Sequence, residues 1–172
     1  VLGSYSLPDV QRYLDWKARD KSEAKEVFEQ MRKQTRLSRP GEVLTLAIVR
    51  ASDGKVMGHV SMSFMDATAA QAEIRFAVGP AYRRQGYATE AVRAAITFGF
   101  NQFKFHRIYA RTAGKNEASA RLLRDLGMRL EAHYREHALF QGEWDEELHF
   151  AILDREWSRG AKVHEISRHK VA

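Results

Sequence analysis

"AEIRFAVGPAYRRQGYATEAVRAAITFGF" (Ala72–Phe100) is the stretch from which the fold can be read. Its opening, Ala72–Gly79, is short, largely apolar and extended in character, and reads as a strand. From Gly86 to Gln102 the period changes. Ala88, Ala91, Val92, Ala95, Ile96 and Gly99 recur at three- and four-residue spacing, which predicts an amphipathic helix. A Gly-Pro, two adjacent arginines and Gly86 lie between. The first turn of a helix carries N–H groups without intrahelical partners, and the helix dipole adds partial positive charge there. Such an end suits a phosphate, and a glycine lets the backbone come close to it. No Gly-Lys-Ser/Thr follows, so this is not a Walker loop, and a dinucleotide fingerprint needs three spaced glycines. Locally, two readings stay open: an anion site, or a helix start with exposed arginines.

The flanks extend the pattern. Upstream, Pro8–Thr35 reads as helical, with Ser22 as N-cap of its second helix, and Pro40–Gly41 ends the region. Val43–Arg50 and Val56–Met65 read as strands joined at Asp53–Gly54, a hairpin signal. With Ala72–Gly79 they predict an antiparallel meander. Downstream, Arg107–Ala113 is a strand. A strand, a helix and a strand in succession make a crossover, so the third and fourth strands should be parallel neighbours. Ala118–Leu126 reads as a helix with Asn116 as N-cap and Gly127 at its stop. Arg129–Leu139 and Glu147–Leu153 are the closing strands, with Gln141–Gly142 in the turn, and Trp157 closes the core. The expected class is α/β: a mixed, mostly antiparallel sheet flanked by helices.

The 172 residues suit one domain, placed at 1–157, with 158–172 as a basic tail. No cysteine is present, which excludes disulfides, thiol nucleophiles and cysteine-based metal sites. The histidines are scattered, and no metal is expected. The formal charge of +6 is spread along the chain rather than blocked, so it motivates a nucleic-acid reading only weakly; no nucleic-acid partner is expected. With no apolar run of membrane-spanning length and no signal peptide, no membrane partner is expected and the cytoplasm is the default location.

Arg83-x-x-Gly86-x-Ala88 resembles the Arg/Gln-x-x-Gly-x-Gly/Ala signature of the GNAT superfamily of acyl-CoA-dependent N-acetyltransferases. "YRRQGYATEAVRAAITFGF", "AEIRFAV", "FKFHRIYARTAGKNEASARLLRDLGM" and "GEWDEELHFAILDREW" are similar, in order, to segments of its RimJ/RimL-type branch. This resemblance covers about Val56 to Trp157. It implies acetyl-CoA as co-substrate and direct transfer to a primary amine, on a peptide or a small molecule, by a monomer or homodimer. It implies a splay between the third and fourth strands. Backbone amides from Arg84 to Thr89 (Arg84, Gln85, Gly86, Tyr87, Ala88 and Thr89) would hold the pyrophosphate, with Arg83 beside them at the cofactor site. Phe76, Ala77 and Val78 would lend backbone to the pantetheine arm, and Asn116 would touch it while also capping its helix.

Transfer to an amine needs a base for the ammonium and a proton or hydrogen bond for the departing thiolate. Glu73, on the central strand, is the candidate base, acting through water with its pKa raised by partial burial; the alternative is a carboxylate paired with Arg75. Leu123 stands where the superfamily often has a tyrosine acid. Ser119, kept as in the RimJ/RimL-type branch, is the candidate thiolate partner, or else a small packing residue. Arg75 replaces the branch's usual glycine, and Glu146 its aspartate after the closing tryptophan. Only seven residues precede Pro8, where family members generally carry a strand and a helix, so a truncated start is one expectation. Tyr134, Phe140 and Trp144 either line the acceptor pocket or are core or strand-pair aromatics. The competing class is a non-catalytic acyl-CoA-binding module of the same fold.

Overall fold

A computed structural model describes residues 21–140 and 143–158. The elements run α1 (Lys21–Lys33), β1 (Val43–Val49), β2 (Val56–Asp66), β3 (Gln71–Val78), a 3₁₀ turn (Pro80–Tyr82), α2 (Tyr87–Phe103), β4 (Arg107–Ala113), α3 (Glu117–Asp125), β5 (Arg129–Phe140) and β6 (Glu143–Leu153). The six strands form one sheet in the order β1-β2-β3-β4-β6-β5. β1, β2 and β3 are the expected antiparallel meander, and β3 and β4 are parallel neighbours across α2. The mixed α/β architecture is the expected one.

Two readings change, and one pair of alternatives is narrowed. Ser22 lies inside α1, which already includes Lys21, so it is not that helix's N-cap. β6 starts at Glu143 rather than Glu147, because Asp145, Trp144 and Glu143 continue the ladder against Ala138–Phe140 beyond a register shift in β5. Tyr134 and Trp144 are exposed residues of the β5–β6 ladder, which fits the strand-pair alternative and not a core position. The helical reading of Pro8–Asp20, the turn Gln141–Gly142 and the tail from residue 159 lie outside the described residues.

The core explains why α2 sits where it does. Its buried face is Val92, Ala95, Ile96, Gly99 and Phe100, four of which belong to the stripe expected from spacing. That face lies on Met62, Ile74 and Ile108, buried side chains of β2, β3 and β4. Gly99 allows the close approach: a Cβ there would stand 2.9 Å from both the Ile108 Cδ1 and the Met62 Cε. Lys104 ends the helix in the left-handed region (φ 55°) and Phe105 turns inward, stacking with Phe103 and meeting Phe64 edge-on. Trp157 packs beside Phe100 and donates its indole N–H to Thr97.

Gly58 is a tighter constraint. A Cβ there would fall 2.1 Å from the Ala77 carbonyl oxygen, so the backbone of β2 or β3 would have to move. Gly58→Ala should therefore destabilise by about 1–3 kcal/mol, the usual range for overpacking. Gly99→Ala should cost less, since only flexible side-chain tips must yield and alanine favours a helix by about 1 kcal/mol over glycine. Urea unfolding of the two variants checks the order.

Candidate active site

β3 and β4 pair only at Gln71/Arg107, Ala72/Ile108 and Glu73/Tyr109. Beyond that they part. β3 stays on β2 as far as Val78, and β4 stays on β6 as far as Ala113. The fork leaves the gap-facing backbone groups of β3 beyond Glu73 without a strand partner, and such groups need hydrogen-bond partners when buried.

A cleft of about 520 Å³ opens beside the fork. Of the residues expected at a cofactor site, Phe76, Ala77, Val78, Arg83, Arg84, Gly86, Tyr87, Ala88, Thr89 and Asn116 line it, and so does Ser119. Gln85 does not; its side-chain amide folds back to the Ala81 carbonyl at 3.0 Å and steadies the turn. Arg83 likewise reaches back, donating to the Val78 carbonyl at 3.4 Å. Glu73 sits at the apex of the fork, outside the lining. Tyr82, Lys115, Ala118, Leu122 and Asp125 also line the cleft and were not expected. The signal for the last three was helical spacing: Ala118, Ser119, Leu122 and Asp125 share one face of α3, while Ala120 and Leu123 bury the other.

The turn is shaped by its backbone. Arg84 (φ 58°) and Gly86 (φ 83°) both lie in the left-handed region, and Gly86 is the N-cap of α2. The N–H of Glu90 bonds the Gly86 carbonyl, so the amides of Tyr87, Ala88 and Thr89 precede the first intrahelical bond. No side chain caps this end. The result is a cluster of N–H donors with the positive end of the helix dipole behind it, on the wall of the cleft. On the facing wall, Asn116 is the N-cap of α3 and accepts the Ser119 N–H at 3.2 Å.

Glu73 is a buried carboxylate, 2% exposed. Arg75 donates to its two oxygens at 3.1 Å each, and Arg111 at 2.9 and 3.4 Å. Burial pushes its pKa up, as expected from the sequence, but the hydrogen bonds and charges of Arg111 and Arg75 outweigh that and hold it below the ordinary carboxylate value. The expected rise is thus reversed. Arg111 lies on the strand that diverges from β3, so the carboxylate also ties the two arms of the fork together.

A family model described as an acetyltransferase (GNAT) domain matches residues 2–129. The chain belongs to the GNAT acetyltransferase family. It is 36% identical over 86 residues to YnaD, an uncharacterised N-acetyltransferase of Bacillus subtilis, covering 50% of this chain and 51% of that protein. It is 26% identical over 155 residues to p20, an uncharacterised N-acetyltransferase of Bacillus licheniformis, covering 90% and 85%. The fold matches the crystal structure of a GNAT-family acetyltransferase from Bacillus anthracis with a TM-score of 0.78 and 24% identity, over 91% of this chain and 88% of that one. This GNAT protein is therefore an N-acetyltransferase, and the acetyl donor of its family is acetyl-CoA. The cleft suits that donor chemically: convergent amides at a helix N-terminus for phosphate oxygens, and an unpaired strand edge for an extended chain bearing amides.

Two consequences can be measured. Gly86→Ala meets no steric neighbour but forces a Cβ into the left-handed region, which costs roughly 1–2 kcal/mol. CoA affinity by calorimetry should fall about tenfold or more as the turn relaxes. Glu73→Gln should destabilise by about 1–3 kcal/mol, the worth of hydrogen bonds to a charged group. Because the folded carboxylate has the lower pKa, its contribution is full above the ordinary value of 4.5 and fades as pH falls through the folded value. The stability gap between wild type and variant should therefore be wide at pH 7 and narrow below pH 4.5.

Proposed function

We propose that this enzyme moves an acetyl group from acetyl-CoA directly to a primary amine, of a peptide N-terminus or a small molecule, as a RimJ/RimL-type enzyme whose single catalytic domain spans residues 1–157 and works in the cytoplasm as a monomer or homodimer. The observation that carries the reading is the fork between β3 and β4 opening beside an uncapped helix N-terminus. Among the described residues no helix is long and apolar enough to cross a membrane. More distant relatives in Escherichia coli are named for acceptors as different as spermidine and the alanine of ribosomal protein uS5, so kinship leaves the acceptor open.

In this reading the backbone amides from Arg84 to Thr89 take the pyrophosphate. The edge of β3 at Phe76–Val78 pairs with the pantetheine arm, and Asn116 touches it from α3. The amine must reach the thioester carbon as a neutral nitrogen. Its lone pair forms the C–N bond, the C–S bond breaks with its pair on sulfur, and one of the two nitrogen protons ends on the thiolate while the other stays on the amide. Ser119, on the cleft face of α3, donates a hydrogen bond to that thiolate. Glu73, held ionised by its arginines, fixes Arg75 and Arg111 at the apex of the fork and keeps its two arms in place. No cysteine exists to form an acyl-enzyme, which favours direct transfer.

The test is thiol release from acetyl-CoA against a panel of amines and peptide N-termini. Acceptor-dependent release at a steady rate is expected. Tight CoA binding with no release for any amine would instead favour the acyl-CoA-binding module. With an accepted amine, Ser119→Ala should lower kcat about tenfold, the value of one modest hydrogen bond, and leave the KM for acetyl-CoA within twofold.

A further inference from the structure

Glu73 is a poor proton acceptor, since two arginines occupy both its oxygens. A different base lies nearby on the same face of the sheet. Side chains alternate along a strand, so Glu73, Arg75, Tyr109 and Arg111 point away from the face that α2 covers. In the antiparallel ladder of β4 with β6, Arg111 stands opposite His149 and Ala113 opposite Glu147. Glu147 and His149 are therefore neighbours on that face, one strand spacing (~4.8 Å) beyond the strand that edges the fork.

Their side chains meet. His149 Nε2 lies 2.6 Å from Glu147 Oε1. A carboxylate at that distance is an acceptor, so Nε2 is the donor, and in the neutral ring Nδ1 is the nitrogen with the lone pair. The pair is neither sealed nor fully exposed, with 27% of the histidine side chain and 26% of the glutamate side chain accessible. An amine can approach it, and a proton can leave it for solvent. The charged and titratable groups facing it, among the described residues, are these. From β4, Arg111 Nη1 stands 3.8 Å from Glu147 Oε2. From β5, His137 Nε2 is 3.9 Å from Glu147 Oε1, and the Tyr134 ring lies edge-on to His149 with centroids 4.9 Å apart. Arg111 touches both carboxylates, Glu73 and Glu147, and so links the dyad to the apex of the fork.

We propose that His149, oriented by Glu147, is the general base of the transfer. This deepens the acetyltransferase reading and rests on it. The ammonium of the acceptor gives one proton to His149 Nδ1. The neutral nitrogen then forms the C–N bond as the C–S bond breaks, and its second proton ends on the CoA thiolate. His149 returns its proton to solvent, so the net products are one amide, one thiol and one released proton. His149 is a catalytic residue in this scheme and Glu147 a positioning residue.

The experiment uses the full chain and an amine that supports thiol release. His149→Ala should lower kcat about 100-fold or more, within the usual worth of a general base. The KM for acetyl-CoA should stay within twofold, because the cleft is untouched. The acid limb of the kcat/KM–pH profile should disappear in His149→Ala and persist in Glu147→Gln with about a tenfold loss of rate. Independently of turnover, ¹⁵N NMR of the wild-type imidazole should show Nε2 protonated and Nδ1 bare, and Glu147→Gln should mix the two tautomers. A His149→Ala enzyme that keeps its kcat and its acid limb, or a wild-type His149 protonated at Nδ1 alone, overturns the assignment. Absence of thiol release by the wild type with every amine overturns the acetyltransferase reading itself, before any variant is made.

Discussion

The ladder between β3 and β4 runs for three residue pairs and stops, and the rest of the site depends on that stop. If the two strands stayed paired, their backbone groups would satisfy each other and no edge would remain for a substrate. Because they part after Glu73 and Tyr109, β3 presents an extended edge to the gap while its other side remains locked to β2. The same divergence makes room for α3 to set Asn116 and Ser119 against the cleft. Glu73 sits at the vertex, where its two oxygens bind one arginine from each arm. Burying a carboxylate is costly unless its charge and its lone pairs are matched, and here both are.

The two faces of the fork have different chemistry. On the cleft side the positive character comes from backbone, with left-handed Arg84 and Gly86, three amides ahead of the first helical bond and the dipole of α2, joined by the lining cations Arg84, Lys115 and Arg121. The side chains of Arg83 and Gln85 turn back to the Val78 and Ala81 carbonyls and brace the loop. The opposite face is built from ionisable side chains. Arg75, Arg111, Glu73, Glu147 and His149 form a connected set there, spanning β3, β4 and β6. The free backbone donors and this ionisable set thus lie on opposite faces of one sheet.

Much of this was legible in the sequence because the signals are local. The α2 stripe, the hairpin at Asp53–Gly54, the cap at Asn116 and the strand Arg107–Ala113 each depend on spacing within about a dozen residues, and each appears where spacing puts it. The errors arise where partners are distant. Glu73 and Arg111 are 38 positions apart, so the sequence suggested burial, which raises a carboxylate's pKa, and could not show the second arginine that lowers it. Glu147 and His149 are two positions apart, but Arg111, which links them to Glu73, comes beside them only through the ladder of β4 with β6. The start of β6 was placed late because Glu143–Glu146 carry no apolar alternation; the ladder to β5 defines them instead.

The central claim is that CoA enters this fork with its phosphates on the α2 N-terminus and its arm along β3. Amide chemical shifts on titration with CoA measure that directly. The account predicts the largest shifts at Arg84–Thr89, at Phe76–Val78 and at Asn116–Ser119, with β1 unmoved. Shifts concentrated on another surface, or none at saturating CoA, would contradict it.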